Sequence, residues 1–385
     1  MVCYNLIKKD FDVGGLSVKI ELISEKIILS NEQSLHNYFG WPTVARLKDG
    51  RVAMVCSGYR IGHVCPFGKG VLMISDDDGE SWSLPQIVID TPLDDRDCGI
   101  VPFGESSAIV TSFNCSPDNH LEYFGWKLDE EPIVYKSAYI DLVQRTVNWK
   151  KFLGSTYRIS NDNCKSFGEL RFAPVTTPHG PAITPDGRMI YVGNNFNPQL
   201  DNTKKRDSIS CYEILPNGEY LHLSDIEKAP GEEEFGYHEP HAIVLPDGKI
   251  IVHIRVHYDK TDLPSNLTVY QCESKDGGKS FSTPHPITEI GGGSPSHIVR
   301  DGNTLIATYS RRSKPYGIMA MFSTDGAKSW NIDNRLIDIS CKPEDLGYPS
   351  SVALGDGKML TVYYEKPEGY SGTVIKQIIW RYSDK

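Results

Sequence analysis

Six segments of this 385-residue chain repeat one arrangement: a short apolar run, a tight glycine turn, and a second run rich in β-branched and aromatic residues. They read "LKDGRVAMVCSGYR", "VPFGESSAIVTSFN", "TPDGRMIYVGNNF", "LPDGKIIVHIRVHY", "VRDGNTLIATYSRR" and "LGDGKMLTVYYEK". Asp-Gly between two alternating runs favours a β-hairpin, because both turn positions want positive φ. The turn glycines are Gly50, Gly104, Gly187, Gly248, Gly302 and Gly357, at spacings of 54, 83, 61, 54 and 55 residues. Strand-built repeats of roughly 40–55 residues predict a propeller with four strands per blade. The chain is therefore expected to be all-β: one six-bladed β-propeller domain over residues 1–385. The 83-residue interval predicts an insertion, placed in the polar stretch "NHLEYFGWKLDEEP" near 119–132. No segment of helical period long enough to compete stands out, and no linker divides the chain.

A second motif follows the hairpins by about half a blade. Ser-x-Asp-x-Gly-x-Ser-aromatic occurs at Ser75–Trp82, Ser274–Phe281 and Ser323–Trp330, with a copy lacking the glycine at Ser160–Phe167. Asp and Ser side chains bond nearby backbone and stabilise tight turns, glycine accepts positive φ, and the aromatic residue can pack between sheets. The motif is read as architectural.

In a propeller the innermost strand of each blade lines the axis, so residues at its entrance face a shared cavity. Those positions hold Trp41, Asp95, Arg96, Asp97, His179, Glu239, His241, Ser294, His297 and Tyr348. The second strands end at the same rim with Arg60, Asn114, Asn194, Asn195, Arg255, Arg311, Arg312, Tyr364 and Glu365. Ionisable groups gathered where a generic β protein carries turn residues predict a site for a polar ligand.

These motifs resemble the sialidase (neuraminidase) superfamily, whose members are six-bladed propellers with such Asp-box (BNR) repeats. "EPHAIVLPDGKIIVHIR" looks like the fourth-blade signature, with Glu239 and Arg255. "GYPSSVALGDGKMLTVYYE" looks like the sixth, with Tyr348 and Glu365, and "TYSRRSKPYG" stands where the fifth-blade arginine falls, as Arg311 or Arg312. The resemblance implies an exo-acting glycoside hydrolase cleaving a terminal, acidic sugar. Tyr348 would be the nucleophile and Glu239 its base, for sialidases use Tyr where most glycosidases use a carboxylate. The arginines would clamp a substrate carboxylate, and Glu365 would buttress one of them.

The chain also departs from the pattern. Trp41 occupies the place of the first-blade arginine, and could be core or a sugar platform. The loop before the first Asp box, "YRIGHVCPFGKG", contains no Asp. His63 there, or Asp94, Asp95 or Asp97 in the nearby "LDDRDCG", could supply the general acid, with Arg60 and Arg96 as further clamps. His179, His241 and His297 are expected at the cavity. Two alternatives are a non-catalytic glycan-binding propeller and a lyase or other glycosidase on the same scaffold.

The balance of the sequence narrows the partners. Net charge is −10 and the isoelectric point about 5.6, which argues against nucleic acid or an anionic membrane surface. No run reaches the ~20 apolar residues of a membrane span. Nine scattered cysteines without CxxC or metal-ligand spacing, and an N-terminus without signal-peptide character, suggest reduced thiols and a cytoplasmic location. "HEPH" at 238–241 lacks the spacing of a zinc helix and Pro240 opposes one, so neither metal nor cofactor is expected.

Overall fold

The structure, a computed structural model, describes residues 18–124, 131–199, 208–258, 267–289, 293, 295–339 and 346–384. Its strands form six antiparallel sheets, arranged as the blades of a propeller. Blade 1 contains β2 (Tyr38–Arg46), β3 (Val52–Arg60), β4 (Lys69–Ser75) and β5 (Gln86–Ile89). Blade 2 contains β6 (Asp94–Phe103), β7 (Ser107–Cys115), β8 (Ser155–Ser160) and β9 (Arg171–Ala173). Blade 3 is built on β12 (Met189–Asn195), β13 (Ile209–Ile214) and β14 (Tyr220–Ile226), with the two short strands β10 (Val175–Thr176) and β11 (Ala182–Ile183) sharing the inner edge. Blade 4 runs from β15 (Gly236–Val244) through β16 (Ile250–His257) and β17 (Leu267–Ser274) to β18 (His285–Pro286). Blade 5 holds β19 (His297–Asp301), β20 (Thr304–Arg311), β21 (Gly317–Ser323) and β22 (Asn331–Asp338).

Blade 6 closes the ring. Its inner strands β23 (Leu346–Gly355), β24 (Lys358–Glu365) and β25 (Val374–Asp384) are completed on the outside by β1 (Val18–Leu29), from the other end of the chain. This pairing covers an edge that would otherwise present unpaired backbone groups. Apolar faces of adjacent blades then bury against one another, as where Val52, Met54 and Val71 of blade 1 meet Leu360, Val362 and Ile379 of blade 6.

The repeated Ser/Asp turns follow the third strand of four blades. In the first, Ser75 Oγ donates to Asp77 and accepts from Gly79 N at 2.8 Å, while Asp77 accepts from Ser81 N at 2.8 Å and Ser81 Oγ at 2.6 Å. Trp82 Nε1 reaches blade 6 at Gln377 Oε1, 2.8 Å away. In blade 5, Trp330 likewise donates to Gln271 of blade 4 at 2.7 Å. The aromatic residue therefore ties one blade to the previous one.

The long interval does carry an insertion, but a helical one: α1 (Pro117–Phe124) and α2 (Glu131–Thr146). Residues 125–130 between them lie outside the described residues. The helical period escapes notice because α2 has apolar side chains on both sides. Ile133, Ile140 and Val143 are buried, whereas Val134, Tyr135 and Leu142 are exposed. A stripe on one face is what makes a helix legible in sequence. The buried face packs on the 61–67 loop: Lys136 Nζ donates to Val64 O at 2.9 Å, and the Tyr139 and Phe67 rings lie 4.9 Å apart.

Candidate active site

Four inner strands share one irregularity just where they enter the axis. Pairing jumps from Gly40↔Ser57 to Thr43↔Val55, from Arg96↔Phe113 to Gly99↔Thr111, from His238↔Arg255 to His241↔His253, and from Gly347↔Tyr364 to Ser350↔Val362. Each jump is a β-bulge with one extra residue on the inner strand. Within the four bulges, Trp41, Asp97, Glu239 and Tyr348 adopt positive φ of 55°, 45°, 48° and 49°. Left-handed backbone at such residues costs on the order of 1–3 kcal/mol each and collects at functional sites. The bulges break strand alternation and bring Asp97, Glu239 and Tyr348 into one another's field.

Tyr348 Oη donates to Glu239 Oε1 at 2.7 Å. Arg255 Nη1 donates to Glu239 Oε2 at 2.8 Å and reaches Tyr348 Oη at 3.2 Å. Arg312 lies over the Tyr348 ring, 5.5 Å from its centroid, and donates to Leu346 O at 2.8 Å. Of the two adjacent arginines, Arg312 is thus the one against Tyr348. Arg311 ends β20, half-buried, and its Nε finds no hydrogen-bond partner among the described residues. The Glu239 backbone is itself clamped: Asn194 Oδ1 accepts from Glu239 N at 2.8 Å, and Asn194 Nδ2 donates to Tyr237 O at 2.9 Å.

Two carboxyls here are pushed in opposite directions. Burial raises Asp97 to about 7, and the Glu239 charge adds to this against the pull of Arg96. Asp97 is 5% exposed, and its Oδ1 is buried without a hydrogen-bond partner. Burial would raise Glu239 too, but the Arg255 charge and the hydrogen bonds from Arg255 and Tyr348 hold it below its ordinary value. Burial and the neighbouring Glu239 charge keep the Tyr348 phenol well above its usual value. Environments that drive two carboxyls apart in this way are how acid and base roles are divided at one pH.

Beside Asp97 and Glu239 opens a cavity of about 300 Å³, walled by Phe113, Thr176, Thr177, Pro178, Asn194 and His238. Phe113, Thr176, Thr177 and Pro178 were not singled out from the sequence, because blades 2 and 3 supply them with no motif. Only His238, next to Glu239, had a neighbour that pointed to it.

Several expected site residues have other positions. Arg60 is fully buried, and its guanidinium is spent on Asp94, Ser57 Oγ at 3.0 Å and His63 O at 2.9 Å, leaving nothing for a ligand. Asp95 is buried with both oxygens held by Thr91, at 2.7 Å from its N and 2.8 Å from its Oγ1, so it closes a turn. Trp41 is only 2% exposed: the Arg96 and Arg60 guanidiniums lie 4.4 and 4.9 Å from its ring centroid and His63 packs at 5.1 Å, so it is core to the rim and no open platform. Glu365 is buried against Lys376 Nζ at 2.8 Å and buttresses no arginine.

The three histidines form a buried layer of their own and are not part of the cavity wall. His179 lies 5.2 Å from His241 and 4.7 Å from His297, centroid to centroid, and His241 stacks on His297 at 4.6 Å. Their work is to join blades. His241 Nδ1 accepts from Ile298 N at 2.9 Å, His297 Nδ1 accepts from Ser351 N at 3.2 Å, and His179 Nδ1 bonds Thr43 Oγ1 at 3.0 Å. Arg96 is mostly buried over Trp41 and donates to His63 O at 3.1 Å. His63 itself is exposed on the rim, its Nδ1 bonded to Tyr38 Oη at 2.9 Å. Ser294 lies outside the described residues. Among the described residues no group of three His, Cys, Asp or Glu side chains is placed to hold a metal ion.

No family model matches the chain, and no curated protein matches it by sequence. Solved structures do match by shape. One from Dyadobacter fermentans, of unknown function, is 18% identical over 94% of this chain and 99% of that one, with a TM-score of 0.70. The intramolecular trans-sialidase of Ruminococcus gnavus, solved with oseltamivir carboxylate, is 13% identical over 94% and 98%, at 0.60. An α-L-arabinofuranosidase of Fusarium graminearum, solved with arabinobiose, is 14% identical over 94% and 98%, at 0.63. The fold is the sialidase-type six-bladed propeller. Glycosidases of more than one specificity share that scaffold, and at identities this low the likeness speaks for fold.

Proposed function

We propose that the protein is an exo-acting glycoside hydrolase, with Tyr348 as nucleophile, Glu239 as its base and Asp97 as general acid. The observation that carries this reading is the Tyr348–Glu239–Arg255 triangle, with contacts of 2.7, 2.8 and 3.2 Å, whose Glu239 lines a cavity together with Asp97, a second carboxyl with a buried oxygen that has no hydrogen-bond partner. In the first step Tyr348 Oη bonds to the anomeric carbon and passes its proton to Glu239. The bond from that carbon to the leaving oxygen breaks, and Asp97 gives that oxygen a proton. In the second step ionised Asp97 takes a proton from water, whose oxygen displaces Tyr348, and the phenol recovers its proton from Glu239. The configuration at the anomeric carbon is retained. Arg255 screens the negative charge that would otherwise build up between Tyr348 and Glu239.

The test is release of aryl alcohol from a panel of aryl glycosides by the wild type, Tyr348→Phe and Asp97→Asn. Tyr348→Phe should lose at least about 10³-fold in kcat, as expected for removal of a covalent nucleophile. Asp97→Asn should lose less with aryl leaving groups of low pKa, which need little protonation. Equal activity of Tyr348→Phe and wild type would overturn the assignment of Tyr348. Absence of cleavage on any glycoside would favour a glycan-binding propeller.

A further inference from the structure

The arginines of the site are not among the residues that wall the cavity. Arg96, from blade 2, lies over Trp41, and Arg255, from blade 4, and Arg312, just after the second strand of blade 5, lie against Tyr348. Each makes contacts within the protein, Arg96 with His63 O and Asp94, Arg255 with Glu239 and Tyr348, Arg312 with Leu346 O, although the Nε atoms of Arg255 and Arg312 are buried without a hydrogen-bond partner among the described residues. The cavity is walled by residues of blades 2, 3 and 4, among them His238 but no arginine or lysine. It presents two carboxyls, Asp97 and Glu239, one aromatic ring, Phe113, and the neutral hydroxyl-bearing strand of Thr176 and Thr177.

We infer that this cavity receives the terminal sugar unit, and that this sugar is neutral. The inference rests on the glycosidase reading above and departs from the acidic sugar implied by the sequence. A sugar carboxylate placed here would face the Glu239 carboxylate, whose own cation, Arg255, is already paired with it at 2.8 Å, with no second arginine or lysine in the wall, and like charges at close range in a dry site repel. A neutral ring of hydroxyl groups suits the same wall. Carboxylates accept hydrogen bonds from hydroxyls, Asp97 Oδ1 has none to satisfy it from the protein, and Phe113 offers an apolar face. That ring is held in place by Phe196, whose centroid is 6.0 Å away at 88°. The volume of about 300 Å³ is at the small end of ligand pockets, the scale of one sugar ring.

The experiment compares aryl glycosides of neutral pentoses, neutral hexoses, uronic acids and sialic acid, matched in leaving group, with wild type and Phe113→Ala. The best neutral sugar should exceed the best acidic one by about 100-fold in kcat/KM, and Phe113→Ala should lower its kcat/KM about tenfold. Preference for an acidic sugar would overturn this inference and leave the glycosidase reading standing. If nothing is hydrolysed, the glycosidase reading falls and calorimetry decides the cavity. Saturable binding of neutral oligosaccharides that weakens in Phe113→Ala upholds a neutral-sugar site. Binding of anionic oligosaccharides alone, or of none, overturns it.

Discussion

Asp97 shows how much one residue's surroundings can decide. Its neighbours in sequence, Asp94 and Asp95, are equally acidic, yet Asp94 is committed to Arg60 and Asp95 to Thr91. The bulge turns Asp97 alone towards the cavity, and burial raises it from its ordinary 3.8 to about 7. In the proposed role of general acid it must be protonated, so kcat/KM should fall as pH rises above about 7, and Asp97→Asn should abolish that alkaline limb in a pH–rate profile. Stability carries the same sign. A carboxyl whose folded value is raised binds more protons when folded, so its contribution is full below 3.8 and is lost as pH climbs towards 7. Asp97→Asn should therefore melt higher than wild type at pH 8, and by less at pH 5. Equal melting temperatures at both values would mean that Asp97 is not strained by its site.

At the scale of the element, the bulged inner strand is the device that builds the site. Three of the four bulges read x-Pro after the left-handed residue: Trp41-Pro42, Glu239-Pro240 and Tyr348-Pro349. Proline disfavours right-handed helical backbone at the residue before it and cannot donate to the ladder, so pairing is interrupted there. Asn194 then fixes the blade 4 bulge by accepting from Glu239 N. Removing it in Asn194→Ala leaves a buried N–H without a partner, which costs about 1–3 kcal/mol. Because Asn194 acts through Glu239 it is a positioning residue. The variant should lose kcat, with any rise in KM reporting the loss of Asn194 from the cavity wall, measured by steady-state kinetics beside its unfolding curve. A loss confined to stability would assign it a purely structural part. The helical insertion is the other element of note, since α2 supports the loop that carries His63.

For the molecule as a whole, stability depends on closing a ring. β1 pairs with β25 from Val18↔Asp384 to Leu29↔Ile375, and at the axis the histidine layer joins blade 4 to 5, 5 to 6, and 3 to 1. Close approach at the axis also requires small residues: a Cβ on Gly99 would stand 2.5 Å from the Gly180 backbone of the next blade. Burial lowers all three histidines, His241 to about 3 and the other two well below their ordinary 6.5. Histidines lowered in the fold contribute stability that is present above 6.5 and lost as pH falls towards 3, because the unfolded chain takes up protons that the folded chain cannot. Each can steepen the decline by up to about 1.4 kcal/mol per pH unit. Denaturant unfolding between pH 6.5 and 4 should show this fall, and the triple variant His179→Gln, His241→Gln, His297→Gln should show a flatter one. An unchanged slope would mean that these histidines take up protons in the fold as they do in the unfolded chain.

What the sequence determined alone was periodic and local. Asp-Gly turns, alternating runs and Ser/Asp turns depend on neighbours within a few residues, so six blades and their hairpins could be counted from spacing. Glu239, Arg255 and Tyr348 were also legible, because each sits at a fixed place in a repeated hairpin. Tertiary structure decided which side each of the remaining residues faces. A bulge of one residue reverses the alternation beyond it, and that separates Asp97 from Asp95. Burial and pairing within and between blades hold Arg60, Trp41, Glu365 and the three histidines out of the cavity wall. The wall of Phe113, Thr176, Thr177 and His238 comes from three blades, and contacts between segments so far apart in sequence arise only when the ring is closed.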